Sequence, residues 1–220
     1  MYLSEEQIAF YDVAKDFALK KMAPHAEKWD EEKIFPIETL QELAALGFGG
    51  IYVNPDLGGS GLSRLDESLI FEALSQGCTS TSAFLSIHNM ANWMIDSFAS
   101  NELKERFVPD LCSMNKIAPY CLTEAGAGSD AGSLKTKAKR DGEFYIVNGT
   151  KSFISGGGYS DVYVTMVRTG DDSASGISTF LIEKDTPGLS FGAQEKKMGW
   201  NSQPTCLLYT SPSPRDEQSS

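Results

Sequence analysis

The stretch YCLTEAGAGSD, Tyr120 to Asp130, has the glycine spacing of an anion-cradling loop but not the lysine of a nucleoside-triphosphate loop. Gly126-Ala127-Gly128 gives G-x-G, yet Ala131 stands where a third glycine belongs, and no strand–helix alternation follows. A Rossmann reading therefore fails. What remains is a strand running into a turn of small residues. Its backbone N–H groups can face an anion because no bulky side chain blocks the approach. Thr123 and Ser129 add hydroxyls that both donate and accept. This set suits a ligand with a diphosphate and a flat ring edge dense in heteroatoms, although a plain β-turn uses similar residues.

Upstream of the loop the hydrophobic period is helical. Ser4 and Gln7 form a capping-box pattern ahead of Ile8, Tyr11, Ala14, Phe17 and Ala18, and Pro24 is expected to stop that run. A second helix is expected from near Pro36, carrying Ile37, Leu40, Leu43 and Ala44 and closed by Gly47. NPDLGGSGL, Asn54 to Leu62, reads as a loop, and Ser63 opens a helix bearing Leu65, Leu69, Ala73 and Leu74. From Thr81 to Phe98 apolar residues lie nearly all round, which marks a buried helix, and Asn101 to Leu111 is a short amphipathic one.

Downstream the period shortens. KTKAKR, EFYIVNG, TKSFIS, DVYVTMVR and ISTFLIEK are rich in β-branched and aromatic residues, and Asp141-Gly142 and Asn148-Gly149 read as hairpin turns. Strands joined by tight turns without intervening helices imply an antiparallel barrel or sandwich. The fold class is α+β: an all-helical domain over residues 1–115, then a β domain over 116–205. Residues 206–220 are expected to be an irregular, disordered tail of artefactual origin, with the genuine sequence stopping at Thr205. Cys206 to Asp216, CLLYTSPSPRD, match residue for residue one translation of a common transposase-based sequencing adapter.

Net charge is −11 over 220 residues, which argues against a nucleic-acid or anionic-membrane partner. No apolar run approaches the ~20 residues of a membrane-spanning helix. The start, MYLSEEQ, lacks the character of a signal or transit peptide, so the protein is cytosolic or a leader precedes Met1. The four cysteines, Cys78, Cys112, Cys121 and Cys206, show no metal-ligand spacing, and neither His25 nor His88 supplies it, so no structural metal and a reducing compartment are expected. His88 reads as a hydrogen-bonded core residue. Trp93 and Met94 read as core, Trp200 as an anchor of the β domain, and Lys196 with Lys197 as a solvated pair.

A second element bears on the loop. NGTKSFISGGG, Asn148 to Gly158, is a strand ending in Phe153-Ile154-Ser155 before three glycines. Phe153 could pack on a ring and Ser155 hydrogen-bond a heteroatom of it. Together, Thr123-Glu124-Ala125-Gly126-Ala127-Gly128-Ser129-Asp130 and Phe153-Ile154-Ser155 resemble the two flavin motifs of the acyl-CoA dehydrogenase family, and the resemblance runs from Met1 to Thr205. LGFGGIYV, GCTSTSAFLSIHNM and KKMGWNSQPT look most like its branched-chain members.

The resemblance implies FAD, cradled by Tyr120, Cys121, Leu122, Thr123, Glu124, Ala125, Gly126, Ala127, Gly128 and Ser129, with Phe153, Ile154 and Ser155. Thr123 would bond the pyrimidine edge, Ser129 would lie by the diphosphate and the acyl-CoA substrate, Phe153 would flank the ring and Ser155 would reach the N5 edge. Glu124 reads as a loop-fixing residue. Ala125 stands where many members have proline, a change worth roughly 0.4–1 kcal/mol of unfolded-state entropy. The resemblance also implies α,β-dehydrogenation of a short branched acyl-CoA, electron-transfer flavoprotein as acceptor, a homotetramer and a mitochondrial matrix location. It places the glutamate base in a C-terminal helical domain to which nothing in this chain corresponds, so no catalytic residue is assigned and the chain alone is expected to be inactive. Two other readings stay open: an oxygen-reacting flavoenzyme on the same scaffold (an acyl-CoA oxidase or flavin monooxygenase), and a non-catalytic binding protein, which would hold no flavin.

Overall fold

The computed structural model describes residues 3–210. The chain divides into two compact units, one of residues up to Ile117 with Lys196–Gln203, the other of Ala118–Glu195 with residues from Pro204 onward.

The helical unit is built from α1 (Glu5–Phe17), α2 (Ala23–Glu31), α3 (Ile37–Ala45), α4 (Arg64–Ser75), α5 (Thr79–Phe98) and α6 (Asn101–Cys112). The expected capping box is present: Ser4 Oγ accepts from the Gln7 N–H and Gln7 Oε1 from the Ser4 N–H, each at 3.1 Å. Ser63 and Asp66 repeat it at the start of α4, at 3.3 and 2.8 Å. Hydrogen bonds from Ser63 hold the Asp66 carboxyl below the usual carboxylate range. Ser63→Ala is expected to cost about 1 kcal/mol, read as a lower urea midpoint at unchanged slope.

Pro24 does not stop the first helix. A π-helical turn, Ala18–Met22, follows α1, and the Ala23 N–H reaches back to the Ala18 carbonyl. That widened turn delivers Pro24 to the first turn of α2, where a missing N–H costs nothing. The stripe on α4 also differs in phase from the sequence reading. Ile70, Ala73 and Leu74 are buried, while Leu65 faces solvent. The core joins Ala14, Ala18 and Met22 to Leu40, Leu43, Phe48, Ile51, Ile70, Leu74, Phe84 and Leu85.

As the sequence implied, α5 is the buried helix. Two of its buried side chains, Asn89 and Asn92, bond the glycine-rich segment after α3. Asn89 Oδ1 accepts from the Ile51 N–H at 2.7 Å and its Nδ2 donates to the Phe48 carbonyl at 2.9 Å. His88, fully buried, bonds the Leu111 carbonyl at 2.9 Å. It is a core histidine.

Lys196–Gln203, although flanked in sequence by the β unit, packs with the helical one. The Asn201 backbone and side-chain amides donate to the Asp30 carboxylate at 2.6 and 3.0 Å, and the Ser202 and Ser80 hydroxyls meet at 2.7 Å. Trp200, half-exposed, therefore belongs with the helical unit and not with the β domain. Lys197 donates to the Gln203 carbonyl at 2.7 Å, which leaves Lys196 as the exposed member of the pair.

The β unit holds β1 (Tyr120–Cys121), β2 (Lys137–Asp141), β3 (Phe144–Ser155), β4 (Val162–Arg168), β5 (Ile177–Glu183), β6 (Leu189–Phe191) and β7 (Thr205–Thr210). They form one sheet in the order β1-β4-β2-β3-β7-β6, with β5 on the other edge of β4. The sheet is mixed, not antiparallel: β1 and β2 run parallel to β4. The reason is topological, because β4 returns beside β1 only after the β2–β3 hairpin, a crossover that brings it back in the same direction. The other strand pairs are antiparallel.

Asp141-Gly142 makes the expected turn, with Asp141 paired to Phe144 and Gly142 at φ 60°. Asn148-Gly149 does not turn. It lies inside β3, where the strand changes partner from β2 to β7. A Cβ on Gly149 would sit 2.4 Å from Thr136 Oγ1, so this glycine permits close backbone approach.

The expected irregular tail is also corrected in part. Cys206–Thr210 continue β7, with Cys206, Leu208 and Thr210 buried and Tyr209 exposed, a period of two that fits a half-covered strand. The rest of that tail, residues 211–220, lies outside the described residues.

Candidate functional site

The glycine loop leaves β1 at Leu122 and tightens at once. Glu124 and Ala127 exchange both backbone hydrogen bonds at 3.1 Å, so Ala125-Gly126 form a two-residue turn. Beyond it Gly128, Ser129 and Asp130 are exposed. A Cβ at Gly126 or Gly128 would meet nothing within 4 Å. Among the described residues, the amides of Gly126, Gly128 and Ser129 donate to no backbone carbonyl. N–H groups without a backbone acceptor are what a bound anion requires.

Glu124 holds the base of this turn. Its carboxylate accepts from the Lys135 N–H at 2.6 Å, the Thr136 N–H at 3.0 Å and Lys151 Nζ at 2.7 Å. Lys151 is completely buried and also donates to the Leu122 carbonyl at 3.1 Å. Burial alone would raise the Glu124 carboxyl, but the hydrogen bonds from Lys151, Thr136 and Lys135 outweigh it and keep it ionised below the ordinary range. With its oxygens engaged, Glu124 fixes the loop, as the sequence suggested.

The second motif meets the first directly. The Ser152 N–H donates to the Thr123 carbonyl at 2.7 Å. It is free to do so because the β3–β7 register shifts between Lys151 and Ile154. At this bulge Phe153 takes φ 58°, a left-handed conformation that costs an aromatic residue of order 1–2 kcal/mol. Its ring gains little burial in return, being 63% exposed. Ile154 turns inward, and Ser155 opens the glycine turn, where the Gly156 N–H donates to the Pro204 carbonyl at 2.7 Å. That turn is fastened and not loose: Gly158 N–H donates to the Tyr163 hydroxyl and Ser160 Oγ to the Gly156 carbonyl.

The predicted site residues thus divide by role. Gly126, Gly128, Ser129 and Phe153 are exposed and Thr123 and Ser155 half-buried, with Ala125 exposed at the tip of the turn. Cys121, Ala127 and Ile154 have buried side chains and can offer a ligand only backbone; burial pushes the Cys121 thiol up to about 12, so it stays neutral. Tyr120 and Leu122 are half-buried, and burial raises the Tyr120 phenol. Lys151 and Arg168, which hold the loop, escaped the sequence reading, because a lysine or arginine in a strand ordinarily faces solvent. An exposed aromatic ring beside a turn of free amides fits a dinucleotide with a flat head group.

Two family profiles match the chain: acyl-CoA dehydrogenase, N-terminal domain, over residues 4–115, and acyl-CoA dehydrogenase, middle domain, over residues 119–211. The chain belongs to the acyl-CoA dehydrogenase family. Among curated relatives, mitochondrial isobutyryl-CoA dehydrogenase of Bos taurus is 60% identical over 205 residues, covering 93% of this chain and 49% of that protein. Its counterpart from Dictyostelium discoideum is 60% identical over 207 residues, covering 94% and 50%. The FAD complex of PigA, a solved structure, has a TM-score of 0.91 at 33% identity and covers 96% of this chain and 56% of that one. The chain spans about half the length of the curated relatives it matches. Both family motifs fall in the β unit, and each lies within the middle-domain match.

Proposed function

We propose that this acyl-CoA dehydrogenase chain carries the flavin-facing half of a site that oxidises a short branched acyl-CoA of the isobutyryl type. The observation that carries the reading is the Ser152–Thr123 hydrogen bond, which ties the strand of the strained, exposed Phe153 to the start of the glycine loop. When bound, FAD supplies the two-electron acceptor. The amides of Gly126, Gly128 and Ser129 would hold its diphosphate, and the Thr123 hydroxyl its pyrimidine edge. Phe153 would cover one face of the ring and Ser155 would reach the N5 edge; Ser129 would also border the acyl-CoA. These residues bind and orient, so their contribution is positional.

Proton removal from the substrate is assigned to a carboxylate outside this chain. Two carboxylates flank the loop here, and both are engaged: Glu124 by Lys151 and two amides, Asp130 by the Ser133 hydroxyl. The domain boundaries near 115 and 205, electron-transfer flavoprotein as acceptor, a tetramer in the whole enzyme, a place in valine breakdown and the mitochondrial matrix are part of the same proposal. The 60% identity to mitochondrial isobutyryl-CoA dehydrogenases supports the substrate class and the mitochondrial location.

The test is to titrate the purified chain with FAD, following flavin fluorescence, and then to add isobutyryl-CoA with an artificial electron acceptor. Saturable FAD binding without turnover is expected. Turnover by the chain alone would refute the assignment of the base, and absence of saturable binding would refute the cofactor reading.

A further inference from the structure

We propose that Lys151 and Arg168 are positioning residues for the cofactor loop, two buried cations that pin segment 122–134 at opposite ends. This rests on the FAD reading above and deepens it. At the first end, Lys151 Nζ joins the Leu122 carbonyl to the Glu124 carboxylate at 3.1 and 2.7 Å. At the second, the Arg168 guanidinium, only 4% exposed, donates from Nε to the Leu134 carbonyl at 3.1 Å and from a terminal nitrogen to the Gly132 carbonyl at 2.6 Å. Its other nitrogen donates to the Ser173 carbonyl at 2.9 Å and to the Asp171 carbonyl. Its backbone N–H bonds the Thr136 carbonyl at 2.7 Å. Between these anchors Ala125, Gly126, Gly128, Ser129 and Asp130 are exposed.

The chemistry at each end explains the residue type. A guanidinium offers five donors in a rigid fork and so can satisfy carbonyls from two separate loops at once. An ammonium suits the other end, where one carbonyl and one carboxylate converge. Each anchor acts on the ligand only through the loop. A glycine turn with open amides samples many conformations, and ordering it at the moment of binding weakens affinity; anchors formed beforehand remove that cost. Lys151 is compensated by Glu124, whereas the nearest carboxylate to Arg168 is Asp172, exposed and 3.8 Å away.

The experiment compares the parent chain with Lys151→Met, Lys151→Met/Glu124→Gln and Arg168→Lys by FAD titration and thermal unfolding. Lys151→Met leaves a buried carboxylate uncompensated and is expected to lower the unfolding midpoint. The double variant removes that charge and should recover the midpoint while its Kd for FAD stays about tenfold weaker than the parent's. Arg168→Lys keeps the charge without the fork and should also weaken FAD about tenfold. A folded double variant binding FAD within twofold of the parent makes Lys151 merely structural and overturns the proposal. Should the variants not fold, amide exchange of the parent without FAD decides. Protection at Lys135, Thr136 and Ser152 is expected, and free exchange there contradicts preformed anchors. A parent that binds no FAD fails the cofactor reading itself, and this proposal with it; a parent that binds normally beside unaffected variants fails this proposal alone.

Discussion

Phe153→Gly is expected to bind FAD about tenfold more weakly than the parent while unfolding at the same temperature or slightly higher. The two effects have separate causes. Glycine adopts φ near 58° without the penalty an aromatic residue bears there, of order 1–2 kcal/mol. The greater freedom of glycine in the unfolded chain takes back roughly 0.4–1 kcal/mol. Little burial is lost, since the ring is 63% exposed. The net change in stability is therefore between zero and about +1.6 kcal/mol, or up to a few degrees in Tm. Loss of the aromatic platform removes about 0.5–1.5 kcal/mol of stacking, which at its upper end is tenfold in Kd. A residue retained for folding would show the reverse: a lower Tm and unchanged affinity. Both quantities come from one calorimetric and one fluorescence titration of each protein.

The second large effect is acid sensitivity centred on His88. Its ring is fully buried and its Nε2–H donates to the Leu111 carbonyl. Burial lowers its pKa from 6.5 to about 4, against the pull of backbone carbonyls, so it stays neutral in the folded chain. The unfolded chain binds a proton below about pH 6.5 that the folded chain refuses until about pH 4. Stability present above that window is lost as pH falls through it, by about 3 kcal/mol in all. Urea unfolding at steps between the two pH values should show the slope, and His88→Gln should flatten it. The depressed carboxyls act lower: Asp30, Asp66 and Glu124 contribute stability that disappears only as pH drops through folded-state values beneath the ordinary carboxylate range. An equal slope in parent and variant would remove His88 as its source.

What the sequence showed and what it hid divide along the same physical line. Capping at Ser4 and Ser63 is local chemistry, complete within four residues: the box at Ser4 forms as read, and Ser63, read only as a helix start, forms one as well. The Asp141-Gly142 turn is local too. Asn148-Gly149 carries the same dipeptide signal, yet its conformation is set by Thr136, a neighbour across the sheet. Pro24 marks the irregularity but not its form, because a π-helical turn before it can absorb the ring. The antiparallel expectation failed at β1 for a similar reason: strand direction beside β4 depends on the connection between them, not on either strand. Within the candidate site, the exposed turn at Gly126 and Gly128 and the exposed Phe153 were legible because these residue types are unusual for their surroundings. Lys151 was not. Nothing local separates a lysine that pairs with Glu124 in the interior from one that projects into water.

The most direct measurement is a titration of the isotope-labelled chain with FAD, followed at each backbone amide. Saturable shifts are expected at Gly126, Gly128, Ser129 and Phe153, with Lys135 and Thr136 moving little because Glu124 already holds them. Shifts that avoid the glycine loop, or none at saturating FAD in a folded chain, would contradict the FAD reading.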